Sequence, residues 1–120
     1  MQEMSTVRLT AVGDFLIHDA CIAAAHNAQE DTYDFYPMLA PIESLIQGSD
    51  LALGNLETTI SGADKQSSGY PRFNAPEELL AALQRCGFTI MATANNHAVD
   101  FGEDGIRSTI AALKRNGLAP

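Results

Sequence analysis

The chain has 120 residues, of which 46% are hydrophobic, 18% charged and 7% aromatic; this suits one small domain with a real core and excludes a disordered, collagen-like or coiled-coil chain. Fifteen acidic residues against seven Lys and Arg give a net charge of −8, which excludes phosphate-led nucleic-acid binding and docking to an anionic membrane surface, since both need clustered bases. No run approaches ~18 consecutive apolar residues, and the first residues lack the basic and apolar regions of a signal peptide.

The same charge would repel a polyanionic substrate unless bound cations offset it. The two cysteines, Cys21 and Cys86, have no metal-binding spacing and sit in apolar helical patterns. They read as buried free thiols, with a single disulfide as the alternative.

Thr6 to Val12 alternates apolar and polar residues and predicts a strand that ends in a Gly13-Asp14 turn. His18 to Gln29 reads as an Ala-rich helix with Cys21, Ile22 and Ala25 on one face. Asp34 to Gln47 reads as a second helix, with Pro37 in its first turn and Gly48 as its stop. Asp50 to Gly54 is a short apolar run suited to a strand buried on both faces. Ser61 to Arg72, rich in Ser and Gly, is the one long connection; such segments often serve as lids or binding loops, and this one is expected to be the least ordered internal segment. Asn74 to Arg85 predicts a third helix closed by Gly87, and Phe88 to Ala94 a third strand. Asp100 to Asn116 predicts a fourth helix, with Asp100 and Glu103 at capping-box spacing. A further strand is expected at Ala119-Pro120.

Strands separated by helices imply an α/β fold, a parallel β-sheet with flanking helices joined by right-handed crossovers. Sites in such sheets lie beyond the carboxyl ends of the strands. Asp14 and His18 follow the first strand, Asn55 and Glu57 the second, and Asn95, Asn96 and His97 the third. Carboxylate oxygens, carboxamide oxygens and imidazole together suit divalent Mn, Fe, Zn or Mg better than a thiolate zinc site. Such ions acidify a bound water and steady a phosphoryl displacement, and His97 then serves as general acid or as a clamp on the leaving oxygen.

Each residue also has a plainer role. Asp14 can accept amide hydrogen bonds in a turn, and His18 can simply open a helix. Glu57 can end a strand, and Asn95-Asn96 can form a turn. Asp100 reads better as a helix cap than as a ligand, His26 as an isolated histidine, and Arg72 as a solvated charge with anion binding as the alternative.

In order along the chain stand Gly13-Asp14-Phe-Leu-Ile-His18, Gly54-Asn55-Leu56-Glu57-Thr58-Thr59-Ile60 and Ala94-Asn95-Asn96-His97-Ala98-Val99-Asp100-Phe101-Gly102. This combination resembles the bacterial capsule synthesis family of poly-γ-glutamate CapA/PgsA type, from about Val7 to Gly117. That family is similar to the calcineurin-like metallophosphoesterases, a four-layer α/β/β/α fold with a dinuclear metal site. The resemblance makes residues 1–120 a single partial domain, the N-terminal half of a metallophosphatase-like fold. It implies Asp14, Glu57 and Asn96 as metal ligands and His97 as the catalytic histidine. His18, Asn55, Asn95, Asp100 and Arg72 would support them or meet substrate. In the phosphatases the first motif is Asp-x-His, whereas His18 follows Asp14 by four residues, and Glu57 stands where they carry Asp. Their later histidine ligands lie beyond this chain, so the resemblance implies an absent or incomplete metal centre here, and a short chain that self-associates. It further implies an extracellular, membrane-associated role with an anionic polymer or phosphate-containing substrate and other capsule-synthesis membrane proteins as partners. A non-catalytic assembly protein that holds polymer or partner is the rival reading.

Overall fold

The computed structural model describes residues 2–120. In chain order the elements are β1 (Leu9–Phe15), α1 (Asp19–Ala25), a short hairpin of β2 (His26–Asn27) and β3 (Thr32–Tyr33), α2 (Tyr36–Leu39), a 3-10 turn (Ala40–Ile42), α3 (Glu43–Gln47), β4 (Leu51–Leu56), α4 (Glu78–Cys86), β5 (Ile90–Ala92) and α5 (Gly102–Arg115). The fold is α/β. Its main sheet is parallel, in the order β1-β4-β5, with Leu9 opposite Leu51 and Leu53 opposite Ile90. After α5 the chain returns to the sheet. The Met91 amide donates to Ala119 O at 2.8 Å, and the Ala119 amide to Thr89 O at 2.9 Å, where the sequence predicts a further strand.

A strand order that advances in one direction, with right-handed connections, puts the helices on one face of the sheet. The burial pattern follows. Ala52, Leu56 and Met91 join Leu39, Ile46, Leu80, Leu83 and Leu113 in one core. The opposite face is open: Leu9 and Leu51 are 59% and 41% exposed. Gly54 is needed on the inner face because a Cβ there would lie 2.5 Å from the Phe15 ring. That ring in turn meets Phe88 edge-on, with centroids 5.2 Å apart.

Several boundaries differ from the sequence reading. Gly13-Asp14 is not a turn. The strand continues to Phe15 through a register shift between Ala11 and Asp14, which leaves Asp14 opposite Asn55. The helix expected to Gln29 stops at Ala25, because the Asn27 carboxamide accepts the Gln29 and Glu30 amides and Asp31 adopts a φ of 52°. That local bonding builds a turn between β2 and β3. The helix expected over Asp34–Gln47 is broken by Pro41, which lacks an N–H and crowds the preceding turn. The third helix begins at Glu78 rather than Asn74, since the Asn74 side chain is buried and accepts the Ser61 amide at 2.7 Å. Both cysteines are free thiols.

Ser61–Arg72 is irregular, as expected, but it is docked and does not read as a lid. Ser68 and Asn74 exchange two backbone hydrogen bonds, each 2.9 Å. The Gly69 amide donates to Asp19 Oδ1 at 2.7 Å, and the Asn74 carboxamide donates to the Lys65 and Gln66 carbonyls.

Candidate functional site

The carboxyl ends of the three strands bring four of the anticipated residues into one hydrogen-bonded row. Asn55, at the end of β4, donates through Nδ2 to Asp14 Oδ1 on β1 at 2.8 Å. Asn95, just after β5, donates through Nδ2 to Asn55 Oδ1 at 3.2 Å and to Leu56 O at 2.9 Å. The His97 amide donates to Asn95 Oδ1 at 3.1 Å. Each carboxamide uses both its ends, so the row fixes the three strand ends relative to one another.

Asp14 and Glu57 face each other across this row. A proton shared with Asp14 is the main reason the Glu57 carboxyl is held above the usual carboxylate range. Burial and the Asp14 charge act in the same direction, and His97 opposes them. Asp14 is held below its usual range, first by the Asn55 amide and then by the bond from Glu57. The pair therefore keeps one proton between two acids to a higher pH than an isolated carboxyl would.

His97 is oriented from behind. Its Nδ1 lies 2.8 Å from Asp100 Oδ2, and the same oxygen accepts the Phe73 amide at 2.8 Å. Asp100 is thus not the cap of α5: no side chain caps that helix, and the carboxylate is turned toward the imidazole instead. Glu103, the other half of the anticipated capping box, pairs with Arg107 at 2.6 Å. The buried Phe73 ring meets His97 edge-on at 4.7 Å between centroids and His18 edge-on at 5.0 Å. His18 therefore sits on the same rim, across Phe73 from His97. Asn96 is exposed next to His97, and Arg72 donates through Nε to the Asp100 carbonyl at 2.9 Å.

Among the described residues, no three His, Cys, Asp or Glu side chains stand close enough together to hold a metal ion alone. The Asn55 and Asn95 carboxamide oxygens are taken by Asn95 Nδ2 and the His97 amide, so the oxygens that this edge leaves for a hard divalent cation are those of the Asp14 and Glu57 carboxyls. Sequence reasoning missed Phe73, Asp19 and Asn74 as the residues that carry the site's supporting loop. A buried Asn before a helix is the signal that could have found the last.

The family described as "Bacterial capsule synthesis protein PGA_cap" matches residues 8–120. The chain belongs to this capsule synthesis family. An uncharacterized protein of Sinorhizobium fredii is 30% identical over 116 residues, covering 92% of this chain and 23% of that protein. "Capsule biosynthesis protein CapA" of Bacillus anthracis is 33% identical over 81 residues, covering 64% of this chain and 20% of CapA. A "probable polyglutamine synthesis accessory protein" of Mycobacterium tuberculosis is 38% identical over 74 residues, covering 58% of this chain and 19% of that protein. The PGA_cap segment described here thus spans about a quarter or less of these relatives' length. Among the described residues, no helix is long and apolar enough to cross a membrane.

Proposed function

We propose that this PGA_cap segment supplies one side of a divalent-metal-dependent hydrolase site that acts on a phosphate ester or polymer linkage at the cell envelope, in capsule or poly-γ-glutamate synthesis. The observation that carries the reading is the Asp14–Glu57 carboxyl pair at the ends of adjacent strands, with His97 close enough to oppose the rise in the Glu57 pKa. Two acids held together are costly unless a proton or a cation lies between them.

Asp14, Glu57 and Asn96 would hold the cation, which when bound acidifies a water and draws charge from the reacting oxygens. Asn55 keeps the Asp14 carboxylate pointed at the pair. Asp100 holds the imidazole of His97 through Nδ1, which leaves Nε2 to take up a proton and, in the imidazolium form, to pass it to the leaving oxygen. Further ligands, polymer partners and an extracellular, membrane-associated place belong to the same proposal and rest on the family.

The rival reading is a non-catalytic assembly role in which the same edge holds polymer or a partner protein. The side-chain row Asp14–Asn55–Asn95 and the His97 amide hold this edge together without a cation, which favours it.

Paramagnetic broadening by Mn²⁺ separates the two. In the 120-residue chain, Mn²⁺ should broaden the backbone amide signals around Asp14, Asn55 and Glu57 selectively. Glu57→Gln should abolish that selectivity, while His18→Ala should leave it intact. Selective broadening that survives Glu57→Gln, or that is lost more in His18→Ala, overturns the metal reading.

A further inference from the structure

The loop that supports His97 also presents a cation. Arg72 is exposed, but its guanidinium is fixed at two points. Nε donates to the Asp100 carbonyl at 2.9 Å, and Cζ lies 4.3 Å from the centroid of the Phe101 ring. Stacking and one hydrogen bond remove much of the rotamer freedom that an exposed Arg would otherwise lose on binding.

The two η nitrogens of Arg72 donate to no described residue. Among the described residues no carboxylate pairs with it either, in a chain with a net charge of −8. The nearby acids are engaged elsewhere: Asp100 Oδ2 accepts His97 and Phe73, and Asp19 Oδ1 accepts Gly69. The loop carrying Arg72 is pinned at Gly69 and Phe73, so the fork keeps a set position on the His97 side of the strand ends. A planar fork of unused donors is the geometry that takes an oxyanion in a bidentate manner.

We propose that Arg72 is the anion-binding residue of this edge: its guanidinium takes an oxyanion, carboxylate or phosphate, that the substrate carries beside the group that reacts. The proposal rests on the reading of the Asp14–Glu57–His97 edge as the reacting site. Binding energy from a non-reacting anionic group would then position the substrate against His97. It also explains how a strongly acidic chain tolerates an anionic ligand, since one immobilised cation stands where the nearby acids are already hydrogen-bonded.

The test is an NMR titration of the 120-residue chain in the presence of a metal chelator, with inorganic phosphate in one arm and glutarate in the other. The Arg72 Nε–Hε signal and the Phe73 and Asp100 amides should shift and saturate with at least one of the two anions. Arg72→Gln should weaken that binding at least about tenfold, the lower end of the scale of one charge-assisted hydrogen bond. Arg72→Lys keeps the charge and should recover part of the affinity, which separates lost recognition from a disturbed loop. Arg107→Gln, an equal charge change on α5, should leave affinity unchanged. Tighter binding of phosphate assigns a phosphate group, tighter binding of glutarate assigns a carboxylate, and equal binding assigns any oxyanion. No saturable shift in the parent chain, full affinity in Arg72→Gln, or an equal loss in Arg107→Gln overturns the proposal. Because the titration is metal-free, a failed Mn²⁺ experiment leaves this result standing, and the converse holds.

Discussion

His97 Nδ1 and Asp100 Oδ2 are 2.8 Å apart, with the two side chains only 18% and 12% exposed. A partly buried carboxylate at that distance selects the tautomer with the proton on Nδ1 and leaves Nε2 free to exchange a proton. The same carboxylate oxygen accepts the Phe73 amide, so one side chain joins the imidazole to the docked loop.

Asp100→Asn should therefore change two things together. The population of the Nδ1–H tautomer, read from ¹⁵N shifts of His97, should fall. The Phe73 amide should exchange faster with solvent, and the chain should lose about 1–3 kcal/mol of stability, the usual cost of disturbing a buried charge-assisted hydrogen bond. An unchanged tautomer ratio would mean that Asp100 is only a structural acceptor for the loop.

Gly54 gives a packing test that is independent of the site's chemistry. A Cβ at this position would sit 2.5 Å from Phe15 Cε2 and 3.3 Å from the Met91 methyl. Phe15 cannot yield freely, because it packs against Phe88 and ends the strand next to Asp14. Gly54→Ala should destabilise the chain by about 1–3 kcal/mol, the range for overpacking a core, in urea unfolding. It should also perturb the Asn55 side-chain amide signals, since the two residues adjoin on β4. Wild-type stability would show that the Phe15 ring has room to move.

The parallel sheet and its loaded edge were legible from the sequence for a simple reason. Residues 51–54 are apolar and flanked by helices, and the residues at or after each strand's end are the polar ones that a βα unit places at the carboxyl end. Asp14, Asn55, Asn95 and His97 came together on that logic. The hairpin at His26–Tyr33 was not legible, because its two-residue strands hold no apolar alternation and depend on the Asn27 side chain and the left-handed Asp31. Asp100 was misread because capping-box spacing to Glu103 is a local pattern, whereas its actual partners at Phe73 and His97 are set by the tertiary fold. Pro41 was decisive for the break between α2 and α3, yet the surrounding Leu39, Ile42 and Ile46 periodicity outweighed it in the pattern.

Glu77 gives a pH prediction. Its carboxyl is held below the usual range, chiefly by the hydrogen bond from Arg115, with Asn116 adding to it. The Arg115 Nη2 to Glu77 Oε2 distance is 2.9 Å, which ties the start of α4 to the end of α5. A depressed folded-state pKa adds stability that is fully present above the unfolded value of 4.5 and is lost as pH falls through the folded value. The pair is more than a third exposed, so the contribution should stay below about 1 kcal/mol. Glu77→Gln should lower stability slightly at pH 7 and flatten the loss of stability below pH ~4.5. An unchanged acid limb in the variant would show that Glu77 is not among the groups that set it.

The open face of the sheet leads to the final prediction. Parallel sheets are ordinarily covered on both faces, yet here Leu9 and Leu51 face each other in register and remain 59% and 41% exposed, with Val7 at 69% just before them. Among the described residues β1 is also an edge strand, paired with β4 alone, so its outer N–H and C=O groups can pair with another chain. Apolar side chains and an unpaired edge at one place favour association of the 120-residue chain with itself. Leu9 and Leu51 stand at the end of this face opposite to the one where Asp14 pairs with Asn55, so association there need not cover the site. Light scattering should show species larger than a monomer at tens of micromolar. Leu9→Lys with Leu51→Glu should shift the chain toward monomer, because the two substitutions place charge on the face and at the edge without entering the helical core. A monomer in the parent chain, or an unchanged mass in the double variant, would show that this face does not drive association.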